Sequence, residues 1–117
     1  MDDETLVMTM LFDFFGDLLT DKQREYFDLY HNEDLSLSEI AERAGISRQG
    51  VYDIISRAEK SLKDIELKTG VVSRWLNMRV KLKRAEGSAR ELLRLVEGSA
   101  AADLAGELVA ALEGIEV

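Results

Sequence analysis

Apolar residues recur at helical spacing from the start of the chain. Between Leu6 and Leu19 they fall four apart on two adjacent rows, which predicts an amphipathic helix with a broad apolar face. The rows are Leu6, Met10, Phe14, Leu18 and Val7, Leu11, Phe15. The box T-x-x-Q at Thr20–Gln23 predicts the start of a second helix, whose apolar stripe is Tyr26, Leu29 and Tyr30. Residues 31–34 are interpreted as the loop that follows.

The stretch from Leu35 to Leu62 has the pattern of a helix-turn-helix. The capping box Ser36–Glu39 begins its first helix, and Gly45 follows the last turn, where a left-handed residue is needed. The apolar face of this helix is formed by Leu37, Ile40 and Ala44, with the small Ala41 where the two helices cross. Ile46 is expected to fill the corner between the helices.

The second helix of this motif begins at its predicted N-cap, Ser47. Its apolar positions Val51, Ile54 and Ile55 face the first helix. The outer face is then formed by Arg48, Gln49, Tyr52, Asp53, Ser56 and Arg57. A small residue, a glycine, an apolar corner and a second cap in this order favour a helix-turn-helix over the alternative, an ordinary helical hairpin.

The C-terminal part of the chain is also predicted to be helical. The second helix of the motif continues to Leu67 and breaks at Gly70, and the next helix runs from Val71 to Gly87. Its stripe is Val72, Trp75, Met78, Leu82 and Ala85. A third capping box, Ser88–Glu91, begins a short helix that ends at Gly98, and Ala100–Leu112 forms the last one. The stripe of this last helix is Leu104, Leu108, Ala111 and Leu112.

These patterns predict an all-α protein: a sigma region-four-like helix-turn-helix bundle with an N-terminal helix and a C-terminal helical extension. The helix-turn-helix domain, with its N-terminal helix, is assigned to residues 1–69, and the extension to residues 70–117. The chain contains no proline and no recognisable linker, which agrees with continuous helical structure.

The net charge of −8 over 117 residues is unevenly distributed. Residues 1–42 hold 12 acidic side chains against two basic ones, and residues 43–94 hold 13 basic against six acidic. Residues 95–117 hold five acidic side chains and no basic ones. Because phosphate binding needs basic surface, the central block is the part suited to nucleic acid, the alternative being a solvated helix face. Because the acidic ends repel phosphates, sequence-independent binding to bulk DNA is expected to be weak.

The outer face of the second helix supplies the candidate nucleic-acid contacts. Arg48 suits guanine and Gln49 suits adenine, through paired hydrogen bonds to base edges. Tyr52 either stacks on an unpaired RNA base or packs against the preceding helix, and Asp53 either repels phosphates or accepts a hydrogen bond from cytosine. The cations spaced to follow a phosphate backbone are Arg57, Lys60 and Lys63. The candidate set is Ser47, Arg48, Gln49, Tyr52, Asp53, Ser56, Arg57 and Lys60.

From Leu19 to Glu66 the chain resembles region four of primary sigma factors, through a leading L-T, an acidic hinge, S-x-x-E-I-A and G-I-S-R. With the N-terminal helix included, it is similar to the YlxM family, small bacterial helix-turn-helix proteins encoded beside the signal recognition particle genes. The residues that carry this resemblance are Leu11 to Gly16, Leu19 to Glu25, and Ser47 to Asp53. Where the family pattern is SRQAVYD, this chain has Gly50, which costs about 1 kcal/mol relative to alanine in a helix.

The resemblance implies an accessory or regulatory protein of the signal recognition particle pathway, with the particle's RNA or its GTPases as partners. One alternative is a DNA-binding transcription regulator of the sigma region-four type. Another is a protein-interaction module that does not bind nucleic acid. The apolar excess of the first helix and of the stripe around Trp75 further predicts a homodimer, as in proteins that bind two half-sites. The alternative is that the first helix packs within the chain, against the helix after Gly70.

No catalytic site, metal site or cofactor is predicted, and the chain is expected not to be an enzyme. Cysteine is absent, which excludes disulfides and cysteine-ligated zinc. His31 is the only histidine, and its place in a predicted polar loop indicates a solvated side chain. The N-terminus is acidic, and no apolar run approaches membrane-spanning length, so a cytoplasmic protein without membrane insertion is expected.

Overall fold

The computed structural model describes residues 3–116, which form helices and no strand. The helices are α1 (Asp3–Phe15), α2 (Asp21–His31), α3 (Leu37–Ala44), α4 (Arg48–Thr69), α5 (Val71–Leu95) and α6 (Ala102–Glu113), with a 3₁₀ turn at Gly16–Leu18. The prediction of an all-α helix-turn-helix protein is thereby confirmed. In this part of the chain, no helix combines the length and apolar character that crossing a bilayer requires. The chain divides into two compact units, a first unit up to Val72 and a second unit from Ser73.

The N-caps predicted for α2, α3 and α4 are all present. Thr20 and Gln23 form a reciprocal capping box, with hydrogen bonds of 3.2 and 3.1 Å. Ser36 and Glu39 form the second, with both bonds at 3.1 Å. The Ser36 backbone N–H donates to the Glu39 carboxylate, and this bond, together with a hydrogen bond from the Ser36 hydroxyl to the carboxylate, lowers the pKa of Glu39. Side-chain capping therefore fixes where each of these helices begins.

Two apolar clusters form the core of the first unit, and α2 contributes neighbouring residues to both. Phe27 is fully buried in one cluster and Tyr26 is buried in the other. The Phe27 cluster contains Met8, Leu11, Phe15, Leu19, Phe27, Ala58, Leu62 and Val72. The Tyr26 cluster contains Tyr26, Ile40, Ala41, Val51 and Ile55. Since α4 contributes to both, it connects the helix-turn-helix to the N-terminal helix.

The N-terminal helix differs from its prediction in length and in the face it buries. It ends at Phe15 rather than Leu19, because the chain tightens into the 3₁₀ turn. The buried members are Met8, Leu11, Phe15 and Leu19, whereas Leu6, Val7, Phe14 and Leu18 are exposed. The sequence is apolar on almost all sides here, so its periodicity does not select a face. Packing against α4 selects it, with Val71 and Val72 closing the same cluster.

His31 does not lie in a loop, contrary to the sequence-based expectation. It is the last residue of α2, and its side chain is only 12% exposed. Its Nε2 atom lies 2.9 Å from Oε1 of Glu59 in α4, while its ring packs 4.3 Å from that of Phe27. The helix extends one residue farther than predicted, and these contacts hold the histidine against the Phe27 cluster.

The second unit departs most from the sequence prediction. Gly87 does not end α5, which runs on to Leu95, and Ser88 forms no cap because it lies inside this helix. A single interior glycine costs about 1 kcal/mol, too little to break a helix whose neighbours are strong helix formers. The helix ends at Leu95, three residues before the predicted Gly98, which lies in the following turn with φ of 78°, and α6 begins at Ala102 rather than Ala100. In α6 the small Ala105 is buried, whereas Leu104 of the predicted stripe is 70% exposed.

Candidate nucleic-acid interface

The turn between α3 and α4 is fixed by backbone hydrogen bonds at a left-handed glycine. Gly45 has φ of 69°, and the N–H groups of Gly45 and Ile46 donate to the Ala41 carbonyl at 2.9 and 3.3 Å. Ala41 is buried against Val51 and Ile55 of α4, as its small size predicted. Ile46 does not fill the corner, since its side chain remains 39% exposed and lies beside Gly50 instead.

Helix α4 then begins with a single side-chain cap and presents its first turn to solvent. The Ser47 hydroxyl accepts a hydrogen bond from the Gly50 N–H at 2.9 Å. Arg48, Gln49 and Tyr52 are exposed and line a shallow hollow together with Leu37 of α3. Leu37 was predicted only as a core residue. Its position one turn before the crossing places it at the edge of the exposed face as well.

Gln49 and Asp53 are joined by a hydrogen bond that was not predicted from the sequence. The Gln49 Nε2 atom donates to Oδ1 of Asp53 at 2.9 Å, across one turn of the helix. The signal for this contact was the i, i+4 spacing of an amide and a carboxylate, which are neighbours on a helix surface. The bond holds the Gln49 carboxamide in place and leaves its oxygen and second N–H available. Asp53 therefore positions the Gln49 side chain in addition to placing a negative charge on this face.

Three cations on the candidate face are available for an anionic ligand. Among the residues that the structure describes, no carboxylate lies within ion-pair distance of Arg48, Arg57 or Lys60. Arg57 and Lys60 are exposed, and Lys63 lies 3.8 Å from Glu4, a loose contact at the protein surface. Arg48 and Lys60 are 12 residues apart on one helix, which corresponds to about 18 Å. This length spans several phosphate groups of one nucleic-acid strand.

The remaining predicted residues lie on the same helix with different exposure. Ser47 is exposed at the N-cap, while Ser56 is half-buried at the edge of the face. Tyr52 is 53% exposed, so part of its ring lines the hollow with Leu37 and part is accessible. The structure thus places all eight candidates on one helix and its cap, with Ser56 the least accessible of them.

The basic block predicted from the sequence is divided between the two units. From residue 43 to residue 69 there are six basic and four acidic side chains, whereas from residue 73 to residue 94 there are seven and two. Most of the excess positive charge therefore belongs to α5 rather than to the helix-turn-helix. An α4 interface accordingly depends on the few cations of its own face.

Comparisons with known proteins identify relatives over most of the chain. Residues 2–90 match the family described as "Putative helix-turn-helix protein, YlxM / p13 like". A UPF0122 protein of Thermoanaerobacter sp. (strain X514) is 56% identical over 82 residues, 70% of each chain. A UPF0122 protein of Caldanaerobacter subterraneus is 52% identical over 84 residues, 72% of each chain. One from Streptococcus gordonii is 50% identical over 74 residues, covering 63% of this chain and 67% of the relative.

Proposed function

The chain belongs to the YlxM/p13-like family of helix-turn-helix proteins, and from this premise we propose that it binds nucleic acid through the exposed face of α4. One observation carries the proposal. Arg48, Arg57 and Lys60 occupy one helix directly after the helix-turn-helix turn, and no described carboxylate pairs with them. Unpaired cations on an exposed helix fit a polyanionic ligand.

Each side chain of the face has a role that follows from its chemistry. Arg48 donates two hydrogen bonds to guanine, and Gln49 presents the carboxamide that Asp53 orients to a base edge. Tyr52 offers an exposed ring for stacking on an unpaired base. Phosphate contacts are assigned to Arg57 and Lys60, with the hydroxyls of Ser47 and Ser56 at the edge of the face.

We assign this binding to an accessory or regulatory role in the signal recognition particle pathway, with the particle's RNA as the ligand. The resemblance of Leu11–Gly16 and Ser47–Asp53 to the YlxM family supports this assignment. The particle's GTPases are proposed as further partners, and such a role would be cytoplasmic. Binding without catalysis is proposed, since the face holds donors and cations rather than a nucleophile paired with a base.

A DNA-binding regulator of the sigma region-four type is the second candidate. The Arg48–Gln49 pair in the first turn of α4 favours it, because this is where a recognition helix contacts base edges in the major groove. A protein-interaction module is the remaining alternative. The three candidates differ in the ligand that the same face binds.

Fluorescence anisotropy at fixed salt distinguishes these functions. The labelled ligands are the RNA of the signal recognition particle, an unrelated RNA of equal length, and mixed-sequence duplex DNA carrying a promoter. We expect the particle RNA to bind most tightly, and Arg48→Ala or Gln49→Ala to weaken it about tenfold or more. Lys68→Ala is the matched control, because it removes one exposed cation from the far end of the same helix.

The salt dependence separates phosphate contacts from base contacts. Arg57→Ala and Lys60→Ala should each reduce the slope of log K against log salt by about 0.9 if a duplex phosphate is contacted. Preference for the promoter duplex would indicate a DNA-binding regulator instead of a protein that binds the particle RNA. If the chain binds a purified particle GTPase but neither RNA nor DNA, it is a protein-interaction module. An affinity unchanged by Arg48→Ala and Gln49→Ala would refute the assigned face.

A further inference from the structure

The second unit is a helical hairpin with almost no core of its own. Between Ser73 and Glu116, the buried apolar side chains are only Ala89 and Ala105. The large side chains beside them stay accessible: Leu92 is 46% exposed, Leu108 is 44% exposed, and Leu104 is 70% exposed. Two helices joined in this way leave an apolar side that needs a partner to be buried.

This apolar side is a continuous surface formed by two adjoining hollows. The first hollow lies between α5 and α6 and is lined by Leu92, Val96, Ala101, Leu104, Ala105, Leu108 and one charged residue, Glu107. The second shares Leu92 and is lined in addition by Arg84, Gly87, Ser88, Glu91 and Leu95. We call the combined surface the hairpin face. Its charged residues without an ion pair are a cation, Arg84, in the second hollow and an anion, Glu107, in the first.

The charges of Arg84 and Glu107 on the hairpin face have no ion-pair partner within the described chain. Neither Arg84 nor Glu107 forms an ion pair there, although Arg90 pairs with Glu113 at 2.6 Å and Arg94 pairs with Glu91. The two helices also differ in net charge, because α6 carries no basic residue while α5 carries seven between Arg74 and Arg94. An apolar surface with a cation in one hollow and an anion in the adjoining hollow is complementary to a copy of itself turned by 180°.

We propose that the hairpin face binds the same face of a second copy of this chain. In this two-fold arrangement the leucines of the two copies bury one another, and Arg84 of each copy lies opposite Glu107 of the other. Four helices then enclose the apolar side chains that two leave exposed. The two charges favour this two-fold orientation, because a pairing of like hollows places like charges together.

The inference deepens the homodimer predicted from the sequence and moves its interface. The predicted interface used the first helix and the Trp75 stripe. In the structure α1 packs on α4, and Trp75 is half-buried with the Arg79 guanidinium 4.7 Å from its ring centre. The hairpin face uses none of the α4 side chains assigned to nucleic acid. It also extends beyond residue 90, where the family match ends, so it is argued from this chain alone.

Sedimentation equilibrium of the full chain, without nucleic acid, tests this dimer. We expect twice the mass of 13.2 kDa at tens of micromolar, and a loss of at least tenfold in association for Leu104→Glu. Leu67→Glu is the matched control, since Leu67 is 86% exposed on α4 and receives the same charge outside the hairpin face. A monomeric parent chain at 100 micromolar, or an unchanged dimer in Leu104→Glu, overturns the proposal.

Charge reversal tests which partner binds and in which orientation. This test remains valid if Leu104→Glu disturbs the folding of α6. Arg84→Glu and Glu107→Arg should each weaken the dimer, whereas the double variant should restore it, because both contacts are re-formed with their signs exchanged. A double variant weaker than either single variant overturns the pairing. The nucleic-acid assay with Arg48→Ala is independent of this result, so failure of the dimer and failure of the proposed binding are distinguished.

Discussion

Replacing Gly50 by alanine should stabilise the protein, although this glycine lies in the first turn of the candidate recognition helix. It is the third residue after the Ser47 cap, and its N–H donates to the Ser47 hydroxyl. A Cβ built on Gly50 lies 3.2 Å from the Ser47 oxygen and 3.6 Å from Cδ1 of Ile46. Two effects therefore oppose each other: a gain in helix propensity and a displacement of the cap.

The first effect is the larger one. Alanine gains about 0.5–1 kcal/mol over glycine within a helix. The Ser47 oxygen must retreat by a few tenths of an ångström, which lengthens a hydrogen bond that is now 2.9 Å long. The caps at Thr20 and Ser36 function at 3.2 and 3.1 Å, so this retreat leaves the cap intact. We expect a net gain of about 0.5 kcal/mol, or roughly 2–3 °C in Tm.

Thermal unfolding followed by circular dichroism measures this gain, and a double-mutant cycle isolates the cost of the contact. In a Ser47→Gly background the oxygen is absent, so Gly50→Ala should show its full gain there. Gly87→Ala, which meets nothing within 4 Å inside α5, provides a second reference. A lower Tm for Gly50→Ala alone, together with a higher Tm in the Ser47→Gly background, would show that the cap is lost and would refute the reasoning.

Three further predictions concern side chains that hold the first unit together. Leu62→Ala should reduce the free energy of unfolding by about 2–5 kcal/mol, whereas Leu67→Ala, exposed on the same helix, should change it by less than about 0.5 kcal/mol in urea titrations. His31→Ala should cost about 1–3 kcal/mol, because it removes the Glu59 hydrogen bond and the ring contact with Phe27; Glu59→Gln, which keeps a hydrogen-bonding oxygen, should cost less by the same measurement. Glu39 has a lowered pKa when folded, so its ionised form stabilises α3 at neutral pH and this contribution is lost as the pH falls. The stability difference between the parent and Glu39→Gln should accordingly shrink below about pH 4, and a difference that is constant from pH 7 to pH 3 would contradict this.

Local chemistry explains why the helix-turn-helix was predictable from the sequence. The caps at Thr20, Ser36 and Ser47 and the left-handed Gly45 each depend on residues no more than a few positions away. Such signals act through the backbone of one turn, so at these positions they needed no contact with distant parts of the chain. The same holds for Gly70, whose φ of 62° ends α4 at Thr69.

Features that depend on distant contacts were not predictable in this way. His31 resembles a loop residue until Glu59, 28 positions later, is placed beside it. The face that α1 buries is decided by Ala58 and Leu62, because its own sequence is apolar on nearly every side. The hydrogen bond between Gln49 and Asp53 is local, but it orients the Gln49 side chain. The spacing of the two residues does not by itself predict that orientation.

The length of α4 connects the candidate interface to the rest of the first unit. The helix runs without a break from Arg48 to Thr69, about 33 Å, and its two halves contribute to different clusters. Val51 and Ile55 hold α3 in place beside the exposed face, while Ala58 and Leu62 hold α1. A change that loosens α1 therefore acts on the same continuous helix that carries Arg48 and Lys60. The N-terminal helix is therefore physically part of the proposed binding domain, since it packs on the helix that carries the candidate interface.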